Sequence, residues 1–180
     1  MLKRVERTST YVAAMVTVAV TALSSAQMVR PVTGEKSSGR IGGGVLFEFD
    51  RAALTALGWE VLIHDDGDSE KAGHRLSSAI QSTSTLDVES VGGVFNYVST
   101  AKIGTHGAVL FTDGKRSVAF GNFTITKDAG GLWTVRDGLN DDPAGRVLFE
   151  LSSVTIDAPA RHEEMRIVGE LTIAKSLAES

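Results

Sequence analysis

The tripeptide Val-Leu-Phe occurs three times in this chain of 180 residues, each time shortly after a glycine. The three copies are residues 45–47, 109–111 and 147–149. β-Branched and aromatic residues in short runs punctuated by glycine are typical of strands that pack into a core. The spacing between the copies is uneven, so they do not mark a repeat array of fixed period. They predict three inner strands of one β-domain.

The length and composition of the chain fit one globular domain, with 42% hydrophobic and 22% charged residues. The formal net charge of -4 and the lack of a dense basic tract argue against nucleic-acid binding. The sequence contains no cysteine, which excludes disulfides, thiolate metal sites and cysteine nucleophiles. The fold must therefore be held together by core packing, metal binding or oligomerisation.

Residues 1–26 have the pattern of a secretory signal peptide. A basic start is followed by an uncharged, mostly apolar run over residues 11–23. Residues 24–26 then supply small side chains at the two positions that signal peptidase reads. The sequence predicts a helical leader that is cleaved after Ala26, so that the mature chain begins at Gln27.

Two other interpretations of residues 11–23 are a membrane-spanning helix and a buried core helix. A span needs about 20 apolar residues, and this run is shorter. A core helix does not normally follow a cluster of basic residues. An uncleaved leader would anchor the domain to the outer face of a membrane, which would be its one membrane contact. In both cases the domain is exported, and we expect a secreted, periplasmic or cell-surface protein.

The rest of the chain divides into three segments. Residues 27–41 are polar and lack an apolar period, which indicates a flexible lead-in. Residues 42–173 form a single β-domain, because short apolar runs alternate there with glycine-rich and polar turns. Residues 174–180 have helix-forming composition and read as a short helical tail, or as the start of a further segment past Ser180.

The predicted fold class is all-β, an antiparallel β-sandwich or barrel-like meander of nine or ten strands. One short helix is expected near residues 51–57, with Asp50 as its cap and Gly58 at its end. Asp113-Gly114 predicts a hairpin with a two-residue turn.

Two acidic loops, residues 64–75 and 137–145, are the candidate metal sites, since Ca²⁺ takes six to eight oxygen ligands. The first loop fails the calcium-loop pattern, because Lys71 occupies the glycine position and Ser77 the position of the bidentate glutamate. A solvated acidic loop is therefore the alternative interpretation of each. The candidate ligands are Asp65, Asp66, Asp68 and Glu70 in the first loop and Asp137, Asn140, Asp141 and Asp142 in the second.

Glu48 and Glu150 follow the first and third Val-Leu-Phe copies and are a candidate carboxylate pair for glycoside hydrolysis. Strand alternation argues against this role, because Glu48 shares a face with Leu46, opposite to the inward Phe47. The four histidines are too scattered to form a metal signature, and no serine elbow or phosphate loop occurs in the sequence.

The predicted function is an exported, non-enzymatic β-domain of the cell envelope or extracellular space, a structural or binding module within a longer surface protein or alone. The sequence does not identify a partner, although an envelope or extracellular protein or a glycan fits an exported domain. No cofactor is expected, with Ca²⁺ as the alternative if the acidic loops bind it. One alternative is an extracellular carbohydrate-active or other hydrolytic enzyme that uses carboxylates. The other alternative is a carrier of small ligands or lipids, which needs a barrel with an unfilled interior.

Overall fold

A computed structural model of the chain consists mostly of antiparallel strands, which confirms the all-β prediction. The residues that the structure describes form fourteen strands and one short helix, more strands than the nine or ten expected. The structure describes residues 14–21, 35–56, 58–64, 71–92, 94–140, 145–158 and 164–174.

The helix α1 spans Arg51–Ala56. The strands in chain order are β1 Ala14–Thr21, β2 Glu35–Arg40, β3 Gly42–Phe49, β4 Glu60–His64, β5 Lys71–Ala72, β6 Arg75–Ala79, β7 Thr85–Val91, β8 Val94–Gly104, β9 Ala108–Thr112, β10 Ser117–Gly121, β11 Thr124–Lys127, β12 Trp133–Arg136, β13 Val147–Asp157 and β14 Glu164–Ile173.

Ten of these strands form one sheet in the order β2-β7-β8-β11-β12-β13-β14-β1-β3-β6. The other four form a smaller sheet in the order β10-β9-β4-β5. From β11 to β14 the main sheet is a meander, because each strand pairs with the next one in the chain. The expected meander does not extend further back, since β10 lies in the small sheet and β11 in the main one.

The two ends of the ten-stranded order belong to one continuous strand pair. β2 runs into β3 through Ile41 alone, and β6 is joined to β7 by residues 80–84. β2 pairs with β7 and β3 with β6. Between these two pairings, Ile41 N donates to Ser84 O at 3.2 Å and Ile80 N to Gly43 O at 3.0 Å. The strand pair is therefore hydrogen-bonded through its bend.

The small sheet arises from two excursions at one end of the main sheet. β4 and β5 lie in the chain between the neighbours β3 and β6, and β9 and β10 lie between the neighbours β8 and β11. β4 pairs with β9, which joins the two excursions. Val61, Ile63 and Val109 bury their side chains in the common core, so the small sheet packs on this end of the domain.

Apart from β2, every strand of the main sheet whose side chains are described contributes buried residues to the core. Phe47 of β3 and Phe123, which precedes β11, are both buried, and their ring centroids lie 4.9 Å apart. A second aromatic contact joins Phe49 to Phe111 of the small sheet at 5.6 Å, with the rings edge to face. The largest fully buried side chains are Phe47, Phe123, Leu76, Ile103, Ile125, Leu148, Ile167, Leu171 and Val45.

The capped helix forms where the sequence predicts it. Asp50 Oδ1 accepts a hydrogen bond from Ala53 N at 3.0 Å, which satisfies a free donor of the first turn. Gly58 has a φ of 76°, the left-handed conformation that ends helices. Leu54 is the buried residue of the helix and joins the core.

The predicted Asp113-Gly114 hairpin also forms, but its loop has four residues rather than two. Thr112 pairs with Ser117, and Asp113 N donates to Arg116 O at 3.1 Å. The Asp113 carboxylate accepts bonds from Lys115 N and Arg116 N at 2.9 and 2.7 Å. This side chain organises the longer loop, a role of aspartate in turns that the Asp-Gly pair alone does not reveal.

Two segments form strands where the sequence predicts something else. Within the lead-in, residues 35–40 form the edge strand β2, whose described side chains are exposed, since backbone pairing needs no apolar side chain. Within the leader, residues 14–21 form β1, between β3 and β14. The other leader residues, and residues 175–180 of the predicted tail, lie outside the described residues, and cleavage after Ala26 stays a prediction.

Candidate functional site

Most candidate metal ligands lie outside the described residues. This holds for Asp65, Asp66, Asp68, Glu70, Asp141 and Asp142, while Asp137 and Asn140 are described. Within the described ranges, no group of three or more histidine or acidic residues is placed to hold a metal ion. Calcium binding by the two acidic loops therefore stays a prediction.

Asp137 is bonded to protein donors through both carboxylate oxygens. Its side chain is buried, with 3% of the residue exposed. Oδ1 accepts hydrogen bonds from Gly121 N at 2.9 Å and from Leu139 N at 3.1 Å, and Oδ2 accepts one from the Asn140 amide. The carboxylate thus connects the start of the second acidic loop to the end of β10, a structural role that the sequence did not indicate.

The candidate carboxylate pair is separated in the structure. Glu48 Oε1 accepts hydrogen bonds from Arg75 Nε at 3.0 Å and Nη2 at 2.8 Å on the neighbouring strand β6. Glu150 lies three strands away on β13. Three strand spacings are about 14 Å along the sheet, whereas the two carboxylates of a glycosidase lie about 5–10 Å apart.

The outward face of β2, β7 and β8 carries two rows of paired polar side chains, which we call the polar ladder. The register places Lys36, Glu89 and Tyr97 side by side in one row. Lys36 Nζ lies 3.5 Å from Glu89 Oε1. The second row consists of Ser38, Asp87 and Thr100.

Asp87 is the centre of the second row. Hydrogen bonds from Ser38 and from Thr100, together with the positive charge of Lys36, hold the pKa of the Asp87 carboxyl below its ordinary value against a smaller opposing effect of burial. Thr100 Oγ1 donates to Asp87 Oδ2. Because donors favour the charged form, this carboxylate is ionised and fixed in orientation at neutral pH.

Tyr97 belongs to the other row and shifts in the opposite direction. Its hydrogen bond with the Glu89 carboxylate, aided by partial desolvation and by the charge of Glu89, raises the pKa of the Tyr97 phenol. The phenol is therefore a neutral donor, and 43% of the residue is exposed. The ion pair of Lys36 with Glu89 and the hydrogen bond of Thr100 to Asp87 orient side chains of both rows, so we take the ladder as the candidate surface.

The tip of the β7–β8 hairpin adds an apolar patch beside the ladder. Val91 and Val94 are 58% and 67% exposed, on either side of the turn at Gly92. Exposed apolar side chains next to oriented polar groups are the composition of a protein interface. We call Val91, Val94 and Tyr97 together the hairpin tip.

The polar, β-prone composition of residues 76–90 predicts one strand with one solvent-exposed face, and it indicates no site there. The structure divides this stretch into β6 and β7 at residues 80–84. The alternating acidic residues Asp87 and Glu89 were the available signal for a site. The sequence did not show that residues of β2 and β8 would pair with them. A strand's own pattern does not name its neighbours.

Comparisons of the chain with protein-family models, with curated proteins and with solved structures found no match. The candidate surface is therefore defined by its own residues and their contacts. In the described part of the chain, no helix has the length and the apolar character that crossing a bilayer requires.

Proposed function

We propose that this chain is an exported, non-enzymatic β-domain of the cell envelope or extracellular space, a module that binds a partner through the hairpin tip and the polar ladder. The observation that carries the proposal is the division between a filled interior and an oriented outer face. Phe47 and Phe123 contact each other inside the domain. On the outside, Asp87 accepts a hydrogen bond from Thr100, and the two apolar valine side chains of the hairpin tip are exposed.

We further propose that the main sheet of the uncleaved chain is a closed barrel rather than a sandwich. The bent pair that joins β2–β3 to β6–β7 links the two ends of the strand order. Counting each bent segment as one strand, the ring is β1, β2–β3, β6–β7, β8, β11, β12, β13 and β14, each paired with the next. A barrel of about eight strands has an interior that side chains can fill.

Two alternative functions have less support. A carrier needs an interior volume for its ligand, whereas the buried rings of Phe47 and Phe123 contact each other inside the domain. A hydrolase using the pair Glu48 and Glu150 needs both carboxylates at one substrate, and three strand spacings separate their strands. Residues 1–26 as a cleaved leader support the location outside the cytoplasm.

A binding experiment with two matched double variants tests the proposal. Labelled mature protein would be titrated onto an envelope preparation of its source organism. We expect Val91→Ser with Val94→Ser to weaken saturable binding at least tenfold, because hot-spot contacts are worth about 1–2 kcal/mol each. The control is Leu132→Ser with Val118→Ser, two exposed apolar residues away from the hairpin tip. Equal binding by tip variant and wild type would contradict the proposal.

A further inference from the structure

We propose that the place of β1 is a groove that accepts one extended strand of a partner protein once the leader has been removed. The inference rests on the proposed export and cleavage after Ala26, since cleavage there would remove β1 from the domain. In the described chain β1 pairs with β14 and with β3 over eight positions each. Its loss leaves the facing edges of two long strands without their backbone partners.

Unpaired strand edges have a strong tendency to recruit a strand. Backbone N–H and C=O groups are obligatory hydrogen-bonding groups, and a row of unpaired ones is a template for another chain. The groove has two such rows, on β3 and on β14, so a single incoming strand would satisfy both. Strand addition of this kind is an established mode of peptide recognition.

Direct closure of the gap by β3 and β14 is the competing arrangement. Both strands are antiparallel to β1, and they are therefore parallel to each other. Their direct pairing would insert one parallel pair into an otherwise antiparallel sheet. The two edges, about 10 Å apart with β1 removed, would also have to approach each other by about one strand spacing, roughly 5 Å. A strand antiparallel to both fits the groove without either change.

The residues on the inner face of the groove determine which side chains the incoming strand must carry. On β3 the core-facing residues are Val45 and Phe47, each 1% exposed, and on β14 they are Ile167 and Leu171, also 1% exposed. The strand must therefore place apolar residues at every second position opposite them.

β1 shows which sequence meets this requirement. Val16 and Val18 stand at the register positions of Phe47 and Val45, and Val20 stands at that of Met165 on β14. The intervening positions are small, polar or methionine, and none of the eight residues is charged. The expected partner segment is an uncharged run of about eight residues with β-branched side chains in alternation.

The partner is a different protein rather than a second copy. Each of the other described strands, β2 to β14, is already paired within the main or the small sheet. A second copy would have to break its own sheet to supply a strand. A neighbouring envelope protein with a free apolar segment has no such cost.

A peptide experiment on the exported protein tests the groove. The protein is recovered after export and its N-terminus is determined by mass spectrometry, with Gln27 expected. A synthetic peptide of residues 12–23 is then titrated, and we expect one-to-one binding and a rise in melting temperature. The same peptide with Val18→Pro lacks a central N–H and should bind at least tenfold more weakly. If the mature chain folds only with a partner strand, the peptide should restore refolding and the proline peptide should not.

Engineered cysteines distinguish an open groove from direct closure, and the cysteine-free chain makes them the sole thiols. Leu46 on β3 and Val168 on β14 both pair with Thr17. A groove keeps their Cα atoms about 10 Å apart, beyond the roughly 7 Å limit for a disulfide, so L46C with V168C should not cross-link. The control, L46C with S77C, joins residues that pair directly and should cross-link.

The failures of the two proposals differ in these experiments. The groove is refuted, and export is not, if the mature chain starts at Gln27, binds neither peptide and forms the cross-link between positions 46 and 168. A recovered protein that still contains residues 14–21 overturns the proposed cleavage, and the groove with it, because the chain's own strand would then fill it permanently.

Discussion

The rings of Phe47 and Phe123 meet with their centroids 4.9 Å apart, at an interplanar angle of 49°. Phe47 lies on β3, and Phe123 directly precedes β11. In the strand order, four strands separate β3 from β11, namely β12, β13, β14 and β1. In a flat sheet, five strand spacings would separate the two residues by roughly 24 Å. Their contact therefore shows that the main sheet is strongly curved, and both rings are buried in the core.

We expect Phe123→Ala to lower the free energy of unfolding by about 3–5 kcal/mol, because it removes a buried ring and leaves a cavity beside Phe47. Urea denaturation of the full chain measures this loss. Leu132→Ala is the control, since Leu132 is 49% exposed, and it should change the stability by less than about 0.5 kcal/mol. A loss below about 1 kcal/mol for Phe123→Ala would mean that the ring is not part of a packed core.

Gly121 is required by a close approach of two backbone segments. A Cβ atom at this position would lie 2.6 Å from Gly107 O and 2.9 Å from Ala108 Cβ. We expect Gly121→Ala to lower the free energy of unfolding by about 1–3 kcal/mol. Gly39 on β2 is the matched control, because a Cβ there meets no atom within 4 Å, and Gly39→Ala should be neutral or slightly stabilising. Similar melting temperatures for the two variants would refute the assigned contact.

The lowered pKa of Asp87 predicts a contribution to acid stability. The folded state favours the carboxylate more than the unfolded state does, since Ser38 and Thr100 donate to it. The stabilisation is therefore complete above the unfolded pKa of about 3.9 and is lost as the pH falls through the folded pKa. We expect Asp87→Asn to be less stable than the wild type at neutral pH and to lose less stability on acidification.

Urea denaturation of both proteins between neutral pH and about pH 3 measures this difference. Asp157→Asn, at an exposed carboxylate, serves as the control for the loss of one acidic charge. If the free energy of unfolding falls equally with decreasing pH in wild type and Asp87→Asn, the hydrogen bonds of the polar ladder do not favour the charged form of Asp87.

Asp137→Ala should be destabilising both with millimolar calcium and with a chelator, because protein donors occupy both of its oxygens. Two backbone N–H groups lose their acceptor, and we expect a loss of about 2–4 kcal/mol. Asp128→Ala is the control: its carboxylate accepts from Leu132 N in an exposed turn, and a loss of about 0.5–1 kcal/mol is expected. A calcium-dependent loss at Asp137 would instead support the predicted metal role of the second loop.

Local patterns anticipated several elements correctly. Asp50 and Gly58 delimit the short helix, and alternation places Glu48 on the face opposite to Phe47. These features depend on residues a few positions apart, whose interactions the sequence displays directly. The Asp113-Gly114 pair likewise located a hairpin, although the loop length depended on further contacts of the Asp113 side chain.

The three Val-Leu-Phe copies show that the same local pattern does not determine the same burial or the same sheet. In the first copy Val45 and Phe47 are buried, whereas in the third Leu148 is buried, at 0% exposure. The pairing of β12 with β13 shifts register between Val135 and Arg136, and Leu148 is the residue left over. The second copy lies in the small sheet. The same tripeptide therefore occupies three different settings, since a bulge and a choice of sheet depend on the partner strand.

The sequence by itself determined the all-β class, the capped helix, the hairpins and the alternation of inward and outward residues, because these follow from neighbours in the chain. Only the tertiary structure decided which strands pair, and with that the strand formed by residues 14–21, the polar ladder around Asp87 and the buried bonds of Asp137. Strand pairing joins residues that are far apart in sequence. The alternation of apolar and polar residues along a strand shows which face of the sheet each side chain occupies, but it does not show which other strand will pair with it.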